Sequence, residues 1–381
     1  MAKHTVLMRP SYKISFCTVC MNRLHHIKQT LPANLKGNAS YPNVEFVLLD
    51  YNSSDGLEQW VKTELKEFID SGRLVFYRTT EPKYFHRSHS RNMAFKLATG
   101  DIVCNVDADN FTGRGFAHYI NSQFIANKNI FIIPDIRSRY YYIRDVFGRI
   151  CCLREDFDAA GGFDEQLEGY GHEDVDFIYR LIKLNREEVV IQNHEYLKAI
   201  SHTDVERVQY EFLLGNLKAL YIAHLTPHSS RLLFLFADGT CSVGTLFDTI
   251  LQNAFKLPTL IDDSEASKSL NGRYALAEGT WRNGSWHQHE NTVRLSLENN
   301  TDELYLQENE MLVPLTQNPG NSFVKITLQK VIIRSINLYT LIKNSQKVHE
   351  NKTVDFPPID RVALGKGSVT KNFVQEVAVG V

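Results

Sequence analysis

The sequence predicts an α/β fold with a mainly parallel sheet in its first half and a smaller, β-rich part after it. In the first half, short apolar runs that read as strands alternate with stretches of helical spacing. After about residue 225 this alternation stops, and hairpin-like runs with Asn and Gly turns replace it. We therefore expect two domains, residues 1–228 and residues 229–381.

Four strands and three of the helices between them can be located from the hydrophobic pattern. The strands are the runs KISFCTVC, VEFVLLD, RLVFYRT and DIVCNV. Helical spacing of apolar residues is found in RLHHIKQTLPANL, LEQWVKTELKEFID and HSRNMAFKLA, the last of which is closed by Gly100. Because ligands of such sheets bind at the carboxyl ends of strands, Asp50 and Asp107 lie where a site is expected.

The second half carries the signals of antiparallel strands. RLLFLFADGTCSVG contains an Asp-Gly hairpin signal, and FVKITLQKVIIR reads as a further strand. Residues 272–307 read as several strands joined by turns at Asn283-Gly284 and Asn299-Asn300. Before them, the stretch from Asp204 to Ile222 has helical spacing, and we predict that it completes the first domain.

Charge and composition argue against several classes of protein. The chain has 42 basic and 44 acidic residues, so there is no global attraction to nucleic acid. The first residues lack the apolar core of a signal peptide, and no run of about 18 apolar residues predicts a membrane span. Six cysteines are too few for a disulfide scaffold. We expect a cytoplasmic protein, with peripheral association at the inner face of a membrane left open.

Two carboxylates stand two residues apart at the end of the fourth apolar run, in the segment NVDADN. On a strand, Asp107 and Asp109 would point to the same face. Converging carboxylates repel unless a cation lies beside them, and Mg²⁺ and Mn²⁺ prefer such oxygen ligands. A metal held in this way can neutralise a leaving diphosphate. Taken alone, the pair is also compatible with an ordinary solvated turn.

A glycine-rich loop with an aromatic residue precedes a second acidic group, in GGFDEQLEGYGHEDVDFIYRL. Acids at a helix start are favoured by the helix dipole, so Glu173 and Asp174 could be simple capping residues. A cap does not need a flexible loop containing Tyr170, whereas a loop that closes over a sugar does. One of the acids could then act as a general base toward a hydroxyl group.

Two further features are compatible with the same chemistry. His202 precedes the next helical stretch, and although a single His is more often structural, imidazole together with carboxylates suits Mn²⁺. The segment YFHRSHSRNMAF contains Arg87 and Arg91. Arginine offers planar, bidentate donors for phosphate, although solvated helix charge is the simpler interpretation.

In this order the motifs resemble the GT-A-fold glycosyltransferases of family 2, and more closely the β-1,4-galactosyltransferase and chondroitin-polymerase type. The matching blocks lie between about residues 14 and 205; they are VCMNR, FHRSHSRNMAF, VDAD, the glycine-rich loop ending in Glu-Asp, and SHTD. The resemblance implies a GT-A nucleotide-sugar-binding domain followed by a β-rich accessory domain. It also implies an inverting transfer from a UDP-sugar to a glycan hydroxyl with Mn²⁺ or Mg²⁺ as cofactor, as in polysaccharide biosynthesis.

The resemblance assigns roles to particular residues of this chain. Asp174 would be the catalytic base, supported by Glu173. The other expected roles are metal binding by Asp107, Asp109 and His202, donor binding by Arg23, Asp50, Asn52, Arg87, Arg91 and Asp107, and acceptor binding by Tyr170, Gly171 and His172.

The chain also departs from this pattern, and other functions stay open. The proline usual in the early loop is missing, Tyr170 stands where the galactosyltransferases usually have Trp, and His172 replaces a glycine. One alternative is a metal-dependent phosphohydrolase using Asp107 and Asp109, although the further His and Asp clusters it should carry are not found. Another is a non-catalytic sugar-binding protein that uses the aromatic residues of the second half.

Overall fold

The computed structural model describes residues 11–135, 145–226, 229–248, 274–276, 282–298, 300–306, 311–314, 322–357, 359 and 364–379. The chain forms two compact units, the first from Met1–His202 with Lys347–Val381 and the second from Thr203–Gln346. This division differs from the predicted one after residue 228, because the C-terminal segment returns to the first unit.

The first unit is built on a nine-stranded sheet. Its order is β20-β19-β3-β2-β1-β4-β7-β6-β8, and β1 pairs in parallel with both β2 and β4. A parallel core of order 3-2-1-4 is the arrangement of nucleotide-binding α/β folds. The strands are β1 (Ile14–Cys20), β2 (Val44–Tyr51), β3 (Leu74–Thr79), β4 (Ile102–Asn105), β6 (Ile130–Ile133), β7 (Cys151–Leu153), β8 (Glu187–Val190), β19 (Gly367–Lys371) and β20 (Gln375–Val379).

Helices connect these strands and pack on the sheet, which explains why the central strands are largely apolar. Every residue of β2 is buried, as expected for a strand covered on both faces. The helices are α1 (Leu24–Gly37), α2 (Leu57–Glu64), α3 (Lys66–Asp70), α4 (Arg87–Leu97), α5 (Phe116–Ala126), α6 (Arg154–Ala160) and α7 (Glu173–Lys183), with a short 3₁₀ turn at His194–Tyr196. A small separate ladder joins β5 (Asn110–Phe111) to β9 (Lys198–Ala199).

The C-terminal hairpin extends the sheet of the first unit beyond β3. Strand β19 runs antiparallel to β3, where Thr370 pairs with Arg78 and Lys371 pairs with Tyr77. The amide of Asn372 donates to the carbonyl of Phe76 at 2.8 Å, and the Asn372 side-chain oxygen accepts from the Phe76 amide at 2.9 Å. The otherwise exposed edge of β3 is therefore covered by residues far away in sequence.

The second unit contains an antiparallel sheet of order β17-β16-β15-β14-β12-β11-β10-β18, with β13 paired to β12. Its strands are β10 (Leu217–Thr226), β11 (Ser229–Phe236), β12 (Thr240–Asp248), β13 (Tyr274–Leu276), β14 (Arg282–His289), β15 (Thr292–Leu297), β16 (Asn300–Leu306), β17 (Leu312–Pro314) and β18 (Val324–Ile326). Its helices are α8 (Asp204–Val208), α9 (Phe212–Gly215) and α10 (Gln329–Thr353), the last of which continues into the first unit.

The fold class predicted from the sequence is confirmed, but three local predictions are wrong. The stretch from Asp204 to Ile222 forms two short helices and the start of β10, not one helix. FVKITLQKVIIR forms a strand only at Val324–Ile326 and then enters α10. Asn283 and Gly284 lie inside β14, and the turn after that strand has Glu290 at a φ of 47°. The second predicted turn falls on Asn299, which lies outside the described residues.

Within the described residues, no helix combines the length and the apolar character needed to cross a membrane.

Candidate active site

The candidate site lies where the parallel strands β1, β2 and β4 end. Because these strands are neighbours and run in the same direction, the residues that follow them lie at one edge of the sheet. Asn22 and Arg23 follow β1, Asp50 is the last residue but one of β2, and Asp107 follows β4. The sheet thus places at one edge three of the segments that the sequence singled out.

A single buried guanidinium joins the two acidic groups of the site. Arg91 on α4 donates from Nη2 to Asp107 Oδ1 at 3.2 Å. Its Nη1 lies 2.5 Å from Asp174 Oδ1 and 3.2 Å from Glu173 Oε1. The Arg91 side chain is only 7% exposed. The sequence assigned Arg91 to donor binding, whereas the structure turns it inward to hold three carboxylates that come from two distant segments.

Asp174 and Asp107 have pKa values shifted in opposite directions from the usual value of an aspartate. Burial raises the pKa of Asp174 to about 7, because Arg91, which lowers it, is offset by the neighbouring Glu173 and Asp107. Burial also acts on Asp107, but Arg91 and the amide of Asn105 outweigh it and lower that pKa. Asp174 is therefore the carboxyl group of the cluster suited to exchange a proton near neutral pH.

Gly148 allows this cluster to pack closely. A Cβ added at Gly148 would lie 2.6 Å from Arg91 Nη2 and 2.9 Å from Asp107 Oδ2. Its carbonyl also accepts a hydrogen bond from Asn105 Nδ2, the group that donates to Asp107 Oδ1 at 2.9 Å. Any side chain at this position would displace the guanidinium or the carboxylate, so the position requires glycine.

Asp109 and His202 meet in the structure, although they lie far apart in sequence. His202 Nε2 is 2.9 Å from Asp109 Oδ2, and both side chains are about nine-tenths buried. A carboxylate oxygen and an imidazole nitrogen that converge in this way are a donor set that suits Mn²⁺, so these two residues fit the expected metal. The ligand atoms of Asp107, Asp109 and His202 do not all lie within 4.8 Å of one another, because Asp107 faces Arg91.

A directional chain of hydrogen bonds orients the Asp109 carboxylate. Arg149, which is completely buried, donates from Nη2 to Asn110 Oδ1 at 3.0 Å. Since a guanidinium can only donate, the amide nitrogen of Asn110 must face the other way. That nitrogen donates to Asp109 Oδ1 at 3.0 Å, which leaves Oδ2 facing His202. These hydrogen bonds fix the Asp109 carboxylate with its Oδ2 turned toward His202.

Helix α1 fixes the backbone around the same acid. Thr30 Oγ1 donates to the carbonyl of Ala108 at 2.7 Å, and Asn34 Nδ2 donates to the carbonyl of Asn110 at 2.9 Å. Both α1 side chains are buried. The loop carrying Asp107 and Asp109 is therefore held on one side by α1 and on the other by Arg149.

The glycine-rich loop carries the residues predicted to bind the acceptor. Tyr170 lies over Arg87, with 5.1 Å between the guanidinium carbon and the ring centre, and Phe85 stacks on the same group at 5.6 Å. Gly171 has a φ of 97° and His172 a φ of 71°. The left-handed conformation at His172 turns the chain directly into α7, which places Glu173 and Asp174 in the first turn of that helix.

Asp50, which was predicted to bind the donor, has no exposed surface. Its Oδ1 accepts a hydrogen bond from the Ser53 amide at 2.7 Å, and its Oδ2 lies 3.5 Å from Arg78 Nε. Burial raises its pKa to about 6. These contacts connect Asp50 to the loop after β2.

The remaining predicted donor residues, Arg23 and Asn52, lie in the loops after β1 and β2. Arg23 Nη1 is 3.5 Å from His26 Nδ1. Asn52 has a φ of 62° and donates from Nδ2 to the carbonyl of Pro82 at 2.8 Å. Both side chains are half-buried.

Several contributors to the site were missed from the sequence. Asn105, Asn110 and Arg149 act through other residues, and nothing in their local spacing distinguishes them from ordinary core polar groups. His26 is also buried, and its ring centre lies 5.9 Å from that of His202. Burial, together with neighbouring His25, lowers the pKa of His26 to about 4. The pair His25-His26, separated from Asn22-Arg23 by Leu24, was a signal available in the sequence.

The site has the parts that the sequence resemblance to glycosyltransferases implies. The parallel 3-2-1-4 sheet carries an Asp-x-Asp at its carboxyl edge. A His lies beside the second Asp, and an acidic helix start follows the glycine-rich loop.

Comparison with known families agrees with that resemblance. Residues 15–146 match the family model of glycosyl transferase family 2, and residues 132–208 match the model described as the N-terminal domain of galactosyltransferase. The predicted resemblance to glycosyltransferase families is confirmed for residues 15–208, which the two models cover between them. Among curated proteins, none matches the chain.

Solved structures show partial similarity to the chain. One is the mannosyltransferase PcManGT from Pyrobaculum calidifontis in complex with GDP-Man and Mn²⁺, with 20% identity, a TM-score of 0.39, and coverage of 48% of this chain and 55% of that one. Residues 1–349 of TarS from S. aureus give 19% identity, a TM-score of 0.41, and coverage of 51% of this chain and 61% of that one. GalNAc-T7 with UDP, GalNAc and Mn²⁺ gives 15% identity, a TM-score of 0.38, and coverage of 47% of this chain and 42% of that one. The matches thus span about half the length of those chains.

Proposed function

We propose that this protein transfers a sugar from a UDP-sugar to a hydroxyl group of a glycan acceptor, with inversion at the anomeric carbon and with Mn²⁺ as cofactor. The observation that carries the proposal is the cluster around Arg91. It brings Asp107, from the donor-side motif, and Asp174, from the acceptor-side motif, onto one guanidinium. The choice of UDP rests on the resemblance of the sequence motifs.

Asp174 takes the proton of the acceptor hydroxyl in this proposal. Its raised pKa, about 7, allows it to be deprotonated at physiological pH and still bind a proton strongly. The Asp174 side chain is 19% exposed, whereas that of Glu173 is 5% exposed. The more accessible acid is the base, and Glu173 helps to hold Arg91. Attack by the activated hydroxyl on the face opposite the diphosphate inverts the anomeric centre.

Asp109 and His202 would hold the divalent cation, with Asp107 beside them toward the nucleotide. When bound, a Mn²⁺ ion supplies positive charge that stabilises the departing diphosphate. Arg87 and Arg23 would contact the phosphates or the base, together with Asn52. Tyr170, Gly171 and His172 would form the acceptor side, where the Tyr170 ring already stacks on Arg87.

The experiment is donor hydrolysis without acceptor, measured on a panel of UDP-sugars with and without Mn²⁺. A glycosyltransferase releases UDP and free sugar, whereas a phosphohydrolase that cleaves the diphosphate releases UMP and sugar phosphate. His202→Ala should raise the Mn²⁺ concentration for half-maximal activity roughly 10–100-fold, as expected for loss of a ligand or its support. The matched control is His194→Ala, which removes an exposed imidazole eight residues earlier.

Three outcomes would contradict the proposal. Full activity in EDTA would show that the reaction does not depend on a metal ion. An unchanged Mn²⁺ titration in His202→Ala would show that His202 has a structural role only. Binding of UDP-sugars with no turnover under any condition, with or without a glycan acceptor, would favour a sugar-binding protein.

A further inference from the structure

The C-terminal end of α10 enters the first unit next to the glycine-rich loop. Asn351, in the last turn of this helix, is 3% exposed. Its Nδ2 donates to Asp164 Oδ2 at 3.1 Å and to Asp176 Oδ1 at 3.0 Å. These two carboxylates lie at the two ends of the loop, Asp164 before it and Asp176 in the first turn of α7 that follows it.

The charges in this pocket explain why an amide is needed there. Asp164 is 6% exposed and Asp176 is completely buried. Arg180 is the cation beside them, with its Nε 2.6 Å from Asp176 Oδ2 and its Nη2 3.8 Å from Asp164 Oδ2. One guanidinium cannot satisfy two buried carboxylates fully. The amide of Asn351 supplies two N–H donors without adding charge, so it satisfies one oxygen of each acid.

The residues after Asn351 continue along α7. The carbonyl of Pro357 accepts a hydrogen bond from Arg180 Nη1 at 3.0 Å, and Lys183 Nζ lies 3.0 Å from Asp355 Oδ2. The ring of Phe356 stacks on Tyr179 with 5.7 Å between their centres. The helix that begins with Glu173 and Asp174 is therefore held along its length by the C-terminal segment.

A second contact fixes the start of the loop itself. Glu165 Oε1 accepts from the Gly365 amide at 2.6 Å and from Asn92 Nδ2 at 2.8 Å. Between this point and α7, Gly169, Gly171 and His172 all have positive φ angles. The C-terminal segment therefore contacts the loop at both of its ends, and the glycine-rich centre lies between these two points.

We propose that Asn351 is a positioning residue that holds the two ends of loop 165–172 together and so sets the acceptor side of the site. The acceptor role of this loop rests on the proposed function, whereas the tie itself rests on the contacts above. Loss of the tie leaves two buried carboxylates with one guanidinium, and their repulsion opens the loop at its ends.

The experiment compares amide hydrogen exchange of the full-length protein with that of Asn351→Leu, a variant of similar volume that has no donors. We expect protection in residues 165–172 to fall roughly tenfold or more, since a buried carboxylate loses its partner. Peptides from β1 and β4 should keep their protection. Binding of UDP with Mn²⁺, measured by calorimetry, should stay within about twofold, because the donor side lies elsewhere.

Two further variants make the result decisive. Thr353→Ala removes an exposed hydroxyl that bonds only within its own helix, to the carbonyl of Glu350, and should change nothing. The double variant Asn351→Leu with Asp164→Asn leaves Asp176 as the one carboxylate beside Arg180, so the repulsion is removed and loop protection should be partly restored. Unchanged protection in Asn351→Leu would overturn the proposal. If Asn351→Leu unfolds globally, failure of this double variant to restore protection would overturn it instead. If wild-type protein does not bind UDP, the proposed function fails, and the exchange data still decide the role of Asn351.

Discussion

Asp107 and Asp174 lie on either side of the Arg91 guanidinium, and the local surroundings separate their chemistry. Asp107 receives Arg91 and the Asn105 amide, which together outweigh burial and keep it ionised. Asp174 has the shorter contact with Arg91, yet burial and the neighbouring acids raise its pKa to about 7. Two carboxylates of the same type thus become suited to different roles in the proposed transfer, one as a fixed charge and the other as a proton acceptor.

Asp174→Asn should separate these roles in the pH dependence of transfer. A base with a pKa of about 7 must be deprotonated to act, so wild-type transfer should be half-maximal near pH 7 and level off about one pH unit higher. The Asn variant keeps the size of the side chain but cannot accept a proton, so its rate should fall about 10²–10⁴-fold and lose that rise. Steady-state rates over the pH range with a saturating donor give the measurement. A parallel rise with pH in both proteins would assign the titration to another group.

Individual residues differ in how far they could be predicted. Asp107, Asp109, Asp174 and His202 stand in recognisable motifs, and the structure brings them to one region. Arg91 stands in a recognised segment too, but its partners come from loops up to 83 residues away, so its inward position was not predictable from spacing. Arg149 and Asn351 stand in no motif at all, because their role depends on buried acids that only the folded chain brings near them.

At the scale of single elements, the apolar pattern located strands β1 to β4 but failed at β10, which follows two short helices and is buried on both faces. In β10, Leu220 and Ile222 contribute to one apolar core of the second unit, and Tyr221 and Ala223 contribute to another. A strand buried on both faces has no alternation of polar and apolar residues, so its apolar run was mistaken for a helix. In α10, Ile333, Ile336 and Tyr339 follow helical spacing, but the preceding short strand obscured where the helix begins.

The first turn of α7 carries a local strain that can be measured. His172 occupies the N-cap position with a φ of 71°, a left-handed conformation that is unfavourable for most side chains. His172→Gly should remove that strain, partly offset by the greater freedom of glycine in the unfolded chain. The net gain in the free energy of unfolding should be about 0.5–1 kcal/mol.

Denaturant unfolding of a matched pair tests this prediction. Asn185→Gly is the control, because Asn185 is exposed at a similar φ of 58° and asparagine tolerates this conformation better. The Asn185 variant should gain less than the His172 variant. If His172→Gly is destabilised instead, packing of the half-buried imidazole outweighs the backbone strain.

On the scale of the whole molecule, the chain order of the two units explains why the predicted boundary differs from the observed one. The second unit, Thr203–Gln346, is inserted between two segments that together make the first unit. A linear division at residue 228 follows the change from alternating strands and helices to hairpin-like runs. It cannot show that residues after 346 return, because the pairing of β19 with β3 joins residues nearly 300 positions apart.

This arrangement predicts that removal of the C-terminal segment will destabilise the first unit. A chain that ends at Gln346 loses the pairing of β19 with β3, the stacking of Phe373 on Phe76 at 5.0 Å, and the Asn351 tie. The losses sum to several kcal/mol, so we expect the thermal unfolding midpoint to fall by at least about 10 °C, given roughly 2–4 °C per kcal/mol. Circular dichroism melting measures the midpoint. Val374→Ser in the full-length chain is the control, because this side chain is 88% exposed in the β19–β20 turn and should leave the midpoint unchanged. A chain ending at residue 346 that melts like the full-length protein and still binds UDP with Mn²⁺ would show that the first unit is complete without its C-terminal strands.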